Sequence, residues 1–196
     1  MKRSVPRRAG AGIMVGVESL RGKLLVAAGS LFDENFRRTV ILVADHDEQG
    51  AAGVVLNRPA EVTVTDAAPP LAPLVPPEDL LYVGGPVQPT SAVVVADFEH
   101  PELADRLVFD SVGLVTGEQA ADAPAAIRRA RVFAGYAGWG AGQLDAEMDE
   151  EAWLVQPASL EDVFTESPDR LWSTVLRRMG GDYAMLALMP HDPSTN

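Results

Sequence analysis

Apolar residues in this chain come in short clusters of Val, Leu and Ala, each cut off by Gly, Pro or Asp. No run reaches the roughly 18 residues that a membrane-spanning helix needs. Interruption this frequent is strand punctuation more than helix punctuation. Residues 23–28, 39–44, 53–57, 80–83, 92–96, 107–109, 113–115 and 131–136 all read as strands. The second and third of these flank a polar DHDEQG segment in which Gly50 supplies a turn conformation, which predicts an antiparallel hairpin with His46, Asp47 and Glu48 exposed at its tip.

Helices are fewer and lie toward the C-terminal half. Thr116 can cap a helix over about 118–130, with Arg128 and Arg129 at its carbonyl end. Residues 143–149 form a second. The third is the best marked: Ser167 caps it, Pro168 takes the first position, Leu171, Trp172, Val175, Leu176 and Met179 recur at helical spacing, and Gly180 and Gly181 end it. Such a stripe must pack on a sheet. Five prolines within residues 66–79 exclude a central strand and break up a helix, so a stiff crossover loop is expected there.

With 196 residues, 47% of them hydrophobic and 22% charged, the chain has enough apolar material for one domain. Its formal charge of −12 disfavours generic binding to nucleic acid or anionic membranes. The absence of cysteine excludes disulfides, thiolate metal sites and a cysteine nucleophile, and suits a reducing, cytoplasmic setting. Residues 1–15, with Lys2, Arg3, Arg7 and Arg8, are read as a mobile basic arm rather than a signal peptide. Residues 16–190 are assigned to one domain and 191–196 to a C-terminal tail.

Chemical motifs are incomplete. No phosphate-binding P-loop is present. The glycine-rich run Gly135 to Gln143 does not reproduce the dinucleotide spacing, and Asp145, Glu147, Asp149, Glu150 and Glu151 follow it, where they would compete with a bound phosphate. It is read as a tight turn that admits Tyr136 and Trp139 to the core. Asp45 to Glu48 suggests metal ligands, but counting from Asp45 the twelfth position of a calcium loop is Leu56, so a remote residue such as His100 would have to complete a site. The Gly-x-Ser-x-Gly elbow is missing, and His46, His100 and His191 are the only imidazoles, His100 in a polar turn and His191 in the tail. The pairs Arg37-Arg38, Arg128-Arg129 and Arg177-Arg178 could gather into a local positive patch.

Five ordered segments together are more specific than any one motif. They are Ser19-Leu-Arg-Gly-Lys-Leu-Leu-Val-Ala, Asp33-Glu-Asn-Phe-Arg-Arg-Thr-Val-Ile, His46 through Pro59, Gly84-Gly-Pro-Val, and Gly135-Tyr-Ala-Gly-Trp-Gly-Ala-Gly-Gln-Leu. In these the chain resembles the YqgE/AlgH family of bacterial proteins, over about residues 19–188. The resemblance implies an α+β fold: a single compact domain with mixed, largely antiparallel β-sheets flanked by a few helices. It implies a cytoplasmic protein with no established enzymatic activity and no cofactor. Some members carry a transcriptional-regulator label. Where relatives tend to have a Leu-His pair after the Gly-Gly-Pro-Val segment, this chain reads Ala92-Val-Val-Val-Ala-Asp, so no role of that histidine carries over.

These readings converge on a non-catalytic binding or regulatory module. Its expected recognition surface comprises Asp33, Asn35, Arg37, His46, Asn57, Arg58, Gly138, Trp139 and Gln143, with turn-fixing as the simpler role for Asn35 and Asn57. A protein or small molecule is the expected partner, nucleic acid is not, and exposed edge strands leave a homodimer open. The alternatives are a hydrolase or phosphate-ligand enzyme using His46 and loop residues, and a DNA-binding regulator.

Overall fold

Two apolar clusters, KLLVA and VILVA, carry aliphatic residues at successive positions, so strands built from them must be buried on both faces. The computed structural model, which describes residues 19–31, 33–115 and 126–189, places them side by side as β1 (Lys23–Ala27) and β2 (Val40–Asp47). Leu24, Val26, Leu42 and Ala44 face one core, while Leu25, Ala27, Ile41 and Val43 face another.

The remaining strands are β3 (Gly50–Val55), β4 (Pro59–Thr63), β5 (Leu80–Val83), β6 (Val87–Phe98), β7 (Arg106–Phe109), β8 (Val112–Val115), β9 (Ile127–Gly140) and β10 (Trp153–Pro157). Together they form one mixed sheet in the order β10-β1-β2-β3-β9-β6-β8-β7, with β4 paired to β5. Every pairing is antiparallel except β5 with β9. The fourteen-residue β9 joins the halves of the sheet. Along one edge it pairs with β6, from Tyr136 opposite Val87 to Ile127 opposite Phe98, and along the other it meets β5 at residues 133–134 and β3 at residues 137–140.

Helices cover three apolar clusters. α4 (Pro168–Met179) lays Leu171, Trp172, Val175 and Leu176 on the face of β1, β2 and β3, as its spacing predicts, and the Trp172 indole N–H donates to the Ala27 carbonyl at 2.9 Å. α3 (Leu160–Val163) is fixed to it by a fork of two hydrogen bonds from Arg178 to the buried Asp162 carboxylate, both 2.9 Å. α2 (Gln143–Asp149) covers the opposite face of the first half-sheet. α1 (Val64–Ala67) and a 3₁₀ turn (Pro69–Leu74) cover the second half-sheet at Val94, Ala96, Phe98 and Val132. The short α5 (Gly181–Leu186) closes the described chain. No helix among the described residues is long and apolar enough to cross a membrane. The fold is α+β, one domain with a mixed, largely antiparallel sheet and a few helices, as expected.

Three expectations change. Residues 66–79 are not simply a crossover loop: Thr63 caps α1 by accepting the Asp66 N–H, and Pro69 and Pro70 begin the 3₁₀ turn, where a missing N–H is harmless. The helix expected over 118–130 falls partly on residues outside those described, and from Ile127 onward the chain is β9. Ala130 and Val132 are buried between flanking strands, and that pairing overrides the helical preference of the Ala-Arg sequence. Arg128 and Arg129 therefore sit on a strand, not at a helix end. Finally, the run Gly135 to Gly140 is not a tight turn but the second half of β9. The arm at 1–15 and the tail at 191–196, with His191, lie outside the described residues.

Candidate functional site

Between β1 and β2 the chain must reverse, and Asp33 starts the turn with an Asx bond, its Oδ1 accepting the Asn35 N–H at 2.8 Å. The Arg37 N–H returns to the Asp33 carbonyl at 2.7 Å, and the turn drives Phe36 inward against Trp139 and Trp153. Arg38 then takes a positive φ of 56° before β2 begins. Asn57, just past β3, locks this corner: its Oδ1 accepts the N–H of Val40 at 2.9 Å and its Nδ2 donates to the Arg38 carbonyl at 2.8 Å. The turn-fixing role read from sequence holds for Asn57. Asn57→Ala leaves the N–H of the fully buried Val40 unpaired, so thermal denaturation is expected to show a loss of about 2 kcal/mol.

Arg58 follows, half-buried. Its Nη2 donates to the carbonyls of Glu34 at 3.1 Å and Arg37 at 3.3 Å, strapping the turn to the β3–β4 corner. Arg38 lies over the Trp172 ring, 4.8 Å from its centroid, and its Nη2 donates to the Met189 carbonyl at 2.7 Å. Burial lowers the pKa of both guanidiniums from the ordinary arginine value. For Arg38 the like charge of Arg37 adds to this, whereas for Arg58 the charge of Asp33 acts the other way. Arg37, Arg38, Asn57, Arg58, Asp169 and Trp172 wall a cavity of about 460 Å³. Asp33 and Asn35 belong to the turn beside it.

His46, Gly138, Trp139 and Gln143 do not join that cavity. The hairpin of β2 and β3 forms, and Asp47 and Glu48 are exposed at its tip, but His46 is only 7% exposed. A bulge between Val43 and Asp45 shifts the alternation, so His46 pairs with Ala51 on the face of Val43 rather than that of Leu42. Its Nδ1 accepts the Leu20 N–H at 3.1 Å and its carbonyl accepts the Ser19 hydroxyl at 3.0 Å. The adjacent Asp45 forms an ion pair with Arg106 on β7. Trp139 is buried as expected; its indole N–H and that of Trp153 share Oε2 of Glu147, at 2.9 and 2.8 Å. Gln143 accepts the Gly140 N–H and donates to Glu147 Oε1, tying α2 to the end of β9. Gly138 and Trp139 line an open depression with Asp45 and Asp47. No three His, Asp or Glu side chains gather to hold a metal among the described residues, and His100 sits in a polar turn 3.6 Å from Glu102.

A further cavity, of about 500 Å³, has no counterpart in the sequence reading. It lies between β9, the loop after the 3₁₀ turn and the loop before α4. Arg131 donates from both Nη atoms to the carbonyls of Val163 and Thr165, each at 2.7 Å, and covers the Tyr82 ring at 4.4 Å. Burial lowers the Arg131 pKa and raises that of the Tyr82 phenol. Arg128 and Arg129 share the buried Asp97 carboxylate at 3.0 and 3.6 Å. The three arginines here are committed to joining elements. The pair Arg128-Arg129 was the only signal in the sequence, and reading it as helical misdirected it.

Comparison with known proteins agrees with this architecture. The sequence pattern of the family described as DUF179, AlgH-like, matches residues 24–184. A UPF0301 protein of Streptomyces coelicolor is 46% identical over 190 residues, covering 93% of this chain and 98% of the relative. One from Chlorobaculum tepidum is 38% identical over 182 residues, covering 89% and 95%. Among solved structures, a Corynebacterium diphtheriae protein superposes with a TM-score of 0.76 at 30% identity, covering 96% of this chain and 95% of that one. The solution structure of AlgH from Pseudomonas aeruginosa gives 0.69 at 29% identity, covering 98% and 100%.

Proposed function

The chain belongs to the AlgH-like family, and from that premise we propose that it is a non-catalytic binding or regulatory module of the cytoplasm. The observation that carries this reading is the fate of the distinctive polar residues. His46, Asn57, Trp139 and Gln143 are engaged in hydrogen bonds that hold the fold, while Arg37, Arg38 and Arg58 line a recess beside Trp172. An enzyme built on His46 would need an exposed base at the hairpin tip, and its ring nitrogen instead accepts a backbone N–H. The one hydroxyl lining the recess, Ser173, donates to the Arg170 carbonyl rather than to the Asp169 carboxylate, an arrangement that suits recognition.

Native mass spectrometry of the full chain, purified gently from its host, tests the proposal. A stoichiometric protein partner or a co-purified small molecule is the expected result. Turnover that disappears in a folded His46→Ala variant would overturn it.

A further inference from the structure

Arginines are prominent in the lining of the recess beside Arg58. Three guanidiniums line it, with one carboxylate, Asp169, on a chain whose formal charge is −12. The Asp169 side chain is itself 76% exposed, where water screens it, and it pairs with Arg170 at 3.9 Å. Elsewhere the arginines that join elements meet carboxylates: Arg106 meets Asp45, Arg128 and Arg129 meet Asp97, and Arg178 meets Asp162. Arg131 uses both Nη atoms on carbonyls.

Arg58 differs from all of them. Among the described residues it has no carboxylate within ion-pair distance, and the two carbonyls it meets both take Nη2, so Nε and Nη1 have no protein acceptor. Those two bonds also hold the guanidinium still. A half-buried cation with a fixed orientation and unused donors is already arranged for a planar or tetrahedral oxyanion, because little side-chain freedom remains to be lost on binding. Trp172 and Pro59 supply apolar wall, which strengthens the attraction by excluding water. At about 460 Å³ the recess exceeds a lone anion and falls in the range of small-molecule sites.

Building on the binding-module reading, we propose that this recess binds a small molecule through a carboxylate or phosphoryl group held by Arg58. The rest of the ligand occupies the remainder of the recess, beside Pro59.

The test follows the Arg58 Nε–Hε resonance of the ¹⁵N-labelled full chain during separate titrations with inorganic phosphate, acetate and chloride at matched ionic strength. Saturable shifts with phosphate or acetate, absent with chloride, are expected; the oxyanion that saturates identifies the group. Followed in both proteins through the backbone amides of Arg37 and Asn57, which line the recess, Arg58→Lys should weaken that binding at least fivefold, since it keeps the charge but loses the planar donor set, while Arg106→Lys should leave it unchanged. Equal, unsaturating drifts with all three salts would overturn the inference. A stoichiometric partner found alongside that negative result would leave the binding-module reading standing. If Arg58→Lys fails to fold, the titrations of the unaltered protein decide the matter.

Discussion

Gly85→Ala is expected to destabilise the protein by about 4 kcal/mol, the combined scale of backbone strain and overpacking. Gly85 has a φ of 153°, a conformation side chains rarely adopt, and a Cβ there would lie 2.3 Å from both the Ala137 nitrogen and the Tyr136 carbonyl carbon. Both obstacles are backbone of β9, so no rotamer change relieves them. The approach is mutual: a Cβ on Gly135 would come within 2.6 Å of the Gly85 carbonyl oxygen. The Gly84 carbonyl accepts the Val55 N–H and its N–H donates to Ala134, which makes this the seam where β3, β5 and β9 meet. Denaturant titration of Gly85→Ala should show a large fall in midpoint, and a fall of under about 1 kcal/mol would mean that the strands are not held this closely. These glycines serve contact between backbones rather than a phosphate cradle.

Glu147→Leu is expected to cost about 3 kcal/mol, because it leaves two buried indole donors without an acceptor. Trp139 and Trp153 are 6% and 3% exposed, and their ring centroids lie 6.1 Å apart in an edge-on arrangement with Oε2 of Glu147 between the two N–H groups. Glu147→Gln retains an acceptor and should lose roughly half as much. Thermal unfolding gives the magnitude, and indole fluorescence reports the site, since two of the chain's three tryptophans are involved. Unchanged melting in both variants would show that these bonds contribute nothing.

The sequence was most informative where burial and local preference agree. β1, β2 and α4 were legible because their apolar residues leave no other solution. β9 was half missed, since Ile-Arg-Arg-Ala-Arg has helical preferences and only pairing with distant β6 makes it a strand. β4 and β10 escaped because PAEVT is largely exposed and WLVQP is only half-buried, so neither shows a clean alternation. For the site, the Asp33 to Arg38 turn and Asn57-Arg58 were identified and do converge. The recess they form also needs Asp169 and Trp172, supplied by a helix far along the chain, and no local pattern announces that. His46 was misplaced because a bulge in β2 is invisible to strict alternation.

The strand β9 also sets how this molecule can come apart. It is the common partner of β3, β5 and β6, so neither half-sheet can peel away while leaving the other intact. Amides at its centre, near Phe133, can exchange with solvent only when the whole structure opens, whereas β7 and β10 at the sheet margins can fray on their own. Assembly carries the same constraint in reverse: the pairing of Gly50 with Gly140 closes a loop of nearly half the chain, so the chain must order a long loop before its central strand is enclosed, and a slow, concerted folding step follows.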